Sequence, residues 1–107
     1  MIVQAWLASY VLTLTIEIPL AAALMGRDHP WKPALAAGLG TTMTHPLLWF
    51  LWPHVVSDYW LYIVSGEVGV VLLETVVYRA LVRIDWGRAF GVAALVNAAS
   101  YLLGTLF

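Results

Sequence analysis

Ile2–Met25 reads IVQAWLASYVLTLTIEIPLAAALM, an apolar run in which Glu17 is the single charged side chain. At 1.5 Å per residue, about 20 such residues cross the roughly 30 Å hydrocarbon layer of a bilayer as an α-helix. A barrel strand needs only ~10 residues of alternating character, which this run does not show. Gly26 follows, a usual helix-ending residue. Three more apolar runs come after it, at about 34–52 (closed by Pro53), 59–82 and 89–107. The composition agrees: of 107 residues 63% are hydrophobic and only 10% charged, and mean hydropathy is +0.88. A water-soluble domain of this size carries roughly a quarter charged residues. The expected fold is therefore an all-α membrane protein of four transmembrane helices, one domain over residues 1–107. A cleavable signal peptide ending near Ala21–Ala23 is disfavoured, because the first run is too long and lacks a positive leader.

The five basic residues occupy alternate connections. Arg27 and Lys32 follow the first run, and Arg79, Arg83 and Arg88 bracket the third and fourth; the middle linker has none. The positive-inside rule puts both basic loops in the cytoplasm and both termini outside, as expected of a protein of a bacterial inner membrane. Trp6, Trp52, Tyr59 and Trp60 fall near the outer ends and Trp31, Tyr78 and Trp86 near the inner ends, an aromatic belt at each interface. With a net charge of −1, nothing points to a nucleic-acid partner. The absence of cysteine removes disulfides and thiolate chemistry.

The halves resemble each other. WKPALAAGLGTTMTHPLL follows the first basic loop and WGRAFGVAALVNAASYLL the second, so that Thr41 meets Asn97, Thr44 meets Ser100 and His45 meets Tyr101. Glu17 and Glu74 precede Thr41 and Asn97 at nearly equal spacing. Two tandem two-helix repeats, about 1–53 and 57–107, would enter the membrane in the same direction and so be parallel. Small residues at Gly87, Gly91, Ala94 and Ala98 invite close helix contact, and with it a homo-oligomer. Four helices alone predict a thin bundle with little room for a cavity.

Depth gives the candidate site. Glu17 and Glu74 each lie eight residues before an inner helix end; Thr41 and Asn97 lie eight after one. All four then sit about 12 Å from the cytoplasmic boundary, with Thr44, His45 and Ser100 a turn further out and Glu67 seven residues before Glu74. An ionised carboxylate at this depth costs at least ~2.5 kcal/mol, and no Lys or Arg shares the layer. The glutamates are thus either protonated or hold a cation or metal, with Thr41, Thr44, Asn97 and Ser100 supplying hydrogen bonds. Pro19 and Pro46 free the carbonyls of Thr15 and Thr42 beside these groups, and such kinks build transporter sites. His45 alone reads as a helix–helix hydrogen-bonding group; beside two glutamates it could also shuttle protons or bind metal. His29 and His54 fall in loops.

The stretch YIVSGEVGVVL, together with length, four spans and a glutamate in the first helix, resembles the small multidrug resistance transporters. That resemblance implies that Glu17 is the proton- and substrate-coupled carboxylate. It covers about a third of the chain, Val64 stands where the family has tryptophan, and Glu67 and Glu74 are outside its pattern. The one-sided charge also argues against the family's antiparallel pairing. The wider pattern EIPL…THPLLWF…GEVG…NAASYLLG looks more like small four-helix bacterial membrane proteins, a likeness that implies no activity.

Three functions follow, in this order. The first is a proton- or cation-linked transporter or channel working through Glu17, Glu74, Glu67, Thr41, Thr44, His45, Asn97 and Ser100. The second is a non-catalytic subunit or helper whose polar residues bind a membrane-protein partner. The third is an intramembrane enzyme using His45 with Glu17 or Glu74 as acid–base groups or metal ligands. No HExxH, nucleotide-binding glycine loop or serine-triad order is present, and no cofactor is indicated.

Overall fold

In a computed structural model of the chain, residues 2–26 and 31–106 are described; helices joined by short connections account for them, with no strand among them. Helix α1 is Ile2–Met25, α2 is Trp31–Pro46, a π-helical stretch covers Leu47–Leu51, α3 is Trp52–Val55, α4 is Tyr59–Val82 and α5 is Trp86–Gly104. Helices α1 and α4, 24 residues each, are long and apolar enough to cross a membrane.

From Trp31 to Val55 the backbone stays helical without interruption. Pro46 lacks the N–H that a regular helix would donate to Thr42, and the winding loosens directly after it, where the backbone N–H of Trp52 donates to the carbonyl of Leu47, five residues back. Pro53 does not close the helix, as its sequence position suggested. It stands in the first turn of α3, directly after the π-helical stretch. His54 is exposed on α3, whereas Arg27 and His29 lie outside the described residues. Helices α4 and α5 start with ordinary caps: Asp58 accepts from the N–H of Leu61 at 2.9 Å, and Asp85 from that of Arg88 at 2.8 Å. Arg83, in the left-handed conformation at φ 62°, ends α4.

The four rods form a ring. Helix α1 packs on α2 and α5, and α4 packs on α5 and α2. At one end lie the last turn of α1, the first turn of α2 and the α4–α5 connection (the loop end); at the other lie the start of α1, the end of α5 and the linker from α3 to α4 (the mouth end). Arg88 ties the loop end together by donating from Nη2 to the carbonyl of Leu24 at 3.1 Å, a cation set at the carbonyl end of α1. The loop half is tightly packed from small residues, with Ala21, Ala36, Ala37, Ala89, Ala93 and Val96 fully buried around Tyr78.

Two glutamates, an asparagine, a histidine and three threonines are buried, while Leu, Val and Phe cover the outside. The exposed apolar faces occur on α2 (Leu35, Leu39, Met43) and α5 (Phe90, Leu95, Leu102) as well as on α1 and α4.

Candidate functional site

Residues at four-residue spacing on α1 form a single stripe, and Ala5, Ser9, Thr13 and Glu17 all face one cavity. From α2 come Thr41, Thr44 and His45, from α4 Glu67, Val70 and Glu74, and from α5 Asn97 and Ser100. The eight polar residues singled out from the sequence therefore line the same space. Its volume is about 900 Å³, so the expectation of a thin bundle with little room for a cavity is corrected. The room comes from the mouth half, where Ala5, Ala8 and Gly104 leave the axis open. In the loop half Tyr78 fills the axis instead.

The floor of this vestibule is the glutamate layer. Thr41 donates its hydroxyl to Glu17 Oε2 at 3.1 Å, bridging α2 to α1. Asn97 donates from Nδ2 to Glu74 Oε2 at 2.5 Å, bridging α5 to α4, and also to the carbonyl of Ala93. Each carboxyl thus has one oxygen held by the neighbouring helix. The other oxygen of each, Glu17 Oε1 and Glu74 Oε1, is buried with no protein partner. A buried carboxyl oxygen without a partner is costly, on the order of 1–3 kcal/mol or more, unless a proton, a cation or water takes its place. Gly40 makes the arrangement fit: a Cβ on it would stand 2.9 Å from Cγ of Glu74.

Above the floor, Thr44 turns its hydroxyl back to the carbonyl of Gly40 at 2.8 Å. His45 is buried between α1 and α2. Its Nε2 stands 3.5 Å from both Ser9 Oγ and Thr13 Oγ1, the outer limit of a hydrogen bond, and its Nδ1 has no partner. The imidazole stacks on Trp49 (6.2 Å, 21°) and meets Tyr10 edge-on at 5.7 Å. Tyr10 in turn shares a 2.6 Å hydrogen bond with Thr42. Higher still, Tyr62 donates to the carbonyl of Leu48 in the π-helical stretch at 2.7 Å, joining α4 to α2.

The vestibule wall carries three carboxyls, Glu17, Glu67 and Glu74, and neither Lys nor Arg. Among the described residues no group of three or more His, Asp and Glu side chains could hold a metal ion together. Sequence reasoning passed over Ser9 and Thr13, although their four-residue spacing ahead of Glu17 marks one helix face. Tyr78, read from the sequence as part of the inner aromatic belt, is instead fully buried, and its hydroxyl has no partner one turn beyond Glu74. Comparison with protein-family models, with curated proteins and with solved structures finds no match for this chain.

Proposed function

We propose that this protein spans a membrane four times and is a proton- or cation-linked transporter that takes a small cation from the outer side to Glu17 and Glu74. The four-span reading is supported by the apolar exterior of α2 and α5, which matches that of α1 and α4. It also draws on the uninterrupted helical run from Trp31 to Val55, longer than α2 alone. The long dimension of 41 Å suits a bilayer with its headgroup regions, roughly 40–45 Å. Lys32, Arg79, Arg83 and Arg88 gather at the loop end, so the positive-inside rule turns that end to the cytoplasm and the mouth outward.

Two parallel repeats are supported by the paired contacts Thr41–Glu17 and Asn97–Glu74, which join matched residues of the two halves. The ring agrees as well, since α1 against α5 is the counterpart of α4 against α2.

The observation that carries the transport reading is the pair of partnerless carboxyl oxygens on the floor of a cavity whose wall holds three carboxyls and neither Lys nor Arg. A proton and a cation compete for such oxygens, and that competition is the basis of exchange. The packed loop half keeps the floor from reaching the other side, so transport requires the two hairpins to rock against each other.

The test is flux in liposomes holding purified protein, with tetramethylammonium, Na⁺ and K⁺ as probes and an internal pH dye reporting protons. Saturable uptake of one cation, countered by proton efflux, is expected in the wild type. Glu17→Gln and Glu74→Gln should each lower it about tenfold or more, the effect of losing ~1.4 kcal/mol of binding. No flux of any of these cations or of protons in the wild type would overturn the proposal. One stoichiometric membrane partner recovered at every purification, with no flux, would favour the helper reading instead.

A further inference from the structure

A second hollow, about 380 Å³, lies on the outer face between α4 and α5. Its bed is apolar, formed by Val68, Val71 and Leu72 of α4 and by Phe90, Ala94 and Ala98 of α5. Three further residues line it, Glu67, Asn97 and Tyr101, and all three also line the vestibule. The groove and the vestibule are therefore two sides of one seam, and the polar residues of that seam face both. Small side chains at Ala94 and Ala98 keep α5 low at this point. Gly91, a turn before Ala94 on the same helix, has open space where a Cβ would stand.

Glu67 is the feature that needs explaining. It is half-buried, eight residues into α4 from Tyr59 and so about 12 Å below the mouth end. A carboxyl at that depth beside a lipid-facing groove is expensive, and such groups mark ion or substrate paths. Glu67 also has no counterpart in the other half: in the matched register α1 carries Tyr10 at this position. The seam is a property of the second hairpin alone.

We propose that the groove between α4 and α5 is a lateral portal for a single-chain amphiphile with a cationic head. Its alkyl tail lies against Val68, Leu72, Phe90 and Ala94, and its head reaches through the seam to Glu67. Charge complementarity selects the head, because the wall it meets carries three carboxyls and neither Lys nor Arg. Shape and polarity select the tail, because the groove is apolar everywhere except at the seam. A ligand of this kind partitions into the bilayer first and enters sideways, whereas a small soluble cation enters through the mouth. The proposal rests on reading the vestibule as a cation site and adds a second entrance and a substrate class.

The experiment uses the full chain in lipid nanodiscs with a dodecylammonium probe bearing a photoreactive diazirine at the tail end. Cross-links mapped by mass spectrometry are expected at Val68, Leu72, Phe90 and Ala94. Excess dodecyltrimethylammonium should remove them, and equal tetramethylammonium or dodecyl sulfate should not. Ala94→Phe, which fills the groove without touching the vestibule wall, should cut labelling at least about fivefold while tetramethylammonium uptake persists. Glu67→Gln should weaken competition about tenfold, one charge-assisted contact's worth. Monodisperse elution of each variant shows that the bundle is intact. Labelling spread over lipid-facing positions such as Leu7, Leu39 and Leu95, unchanged by Ala94→Phe, overturns the portal. If tetramethylammonium still moves in that case, the vestibule reading stands and only the portal falls. Groove-specific labelling without any cation flux retains the portal as a binding site and removes transport.

Discussion

Gly40→Ala separates the geometry of the site from the stability of the bundle. The added Cβ would stand 2.9 Å from Cγ, 3.4 Å from Oε1 and 3.5 Å from Cδ of Glu74. Ordinary carbon contacts begin about half an ångström or more further out, so the Glu74 side chain must swing away by that order. Its hydrogen bond to Asn97 cannot follow, because Asn97 Nδ2 is also held by the carbonyl of Ala93. Alanine inside a helix stabilises it by ~1 kcal/mol relative to glycine, while forcing an extra carbon into a packed site costs about 1–3 kcal/mol. The two nearly cancel, leaving a net destabilisation of about 0–2 kcal/mol. Function has no such offset: a misplacement approaching 1 Å can lower a positioned group's effect by up to 10²-fold. Thermal unfolding followed by circular dichroism should thus show a small change, whereas cation uptake in liposomes should fall ten- to a hundredfold. Gly69→Ala is the control, since nothing lies within 4 Å of its Cβ; it should leave uptake unchanged. Wild-type uptake in Gly40→Ala would refute the placement of Glu74 against α2.

Other substitutions probe the remaining contacts. Asn97→Leu removes the donor to Glu74 Oε2 and should destabilise the bundle by about 1–3 kcal/mol, read in a denaturant titration, with Asn97→Asp no better because it cannot donate while ionised. Tyr78→Phe deletes a buried hydroxyl that has no partner and should raise the unfolding midpoint by up to ~1 kcal/mol equivalent. Tyr78→Ala should lower it by about 3–5 kcal/mol and make proton movement uncoupled, because the plug between the floor and the loop end is gone. Gly66→Ala sets a Cβ 2.6 Å from Leu48 and 3.5 Å from Trp52, and should loosen the junction of α4 with the π-helical stretch, seen as faster hydrogen exchange there.

Apolar runs ended by glycine, proline or charge located the helices because, in so apolar a chain, little else competes with that signal. Depth counting from helix ends located Glu17, Thr41, Glu74 and Asn97 in one layer because rise per residue is nearly constant. Neither kind of reasoning contains the rotation of one helix against another. For that reason the cavity was missed: it depends on Ala5, Ala8 and Gly104 facing the same axis, while Tyr78 takes that axis in the other half. Pro53 was read as a stop because proline ends helices in their interior; after the loosened turn at Leu47–Leu51 it falls at a helix start instead. Ser9 and Thr13 were legible as a stripe with Glu17, but single hydroxyls are so common in apolar helices that only the facing His45 gives them weight.

The absence of cysteine permits a direct test of an outward-opening vestibule that ends at the glutamate layer. Single cysteines at Thr13, Ser100, Ala93 and Leu39 are exposed in sealed, oriented vesicles to a membrane-impermeant cationic thiol reagent applied from one side at a time. Thr13→Cys and Ser100→Cys should react from the mouth side only, at rates slowed by a bound cation, while Ala93→Cys in the packed half and Leu39→Cys on the outer surface stay unmodified. Reaction of Thr13→Cys and Ser100→Cys from the loop side, or from neither, would contradict it.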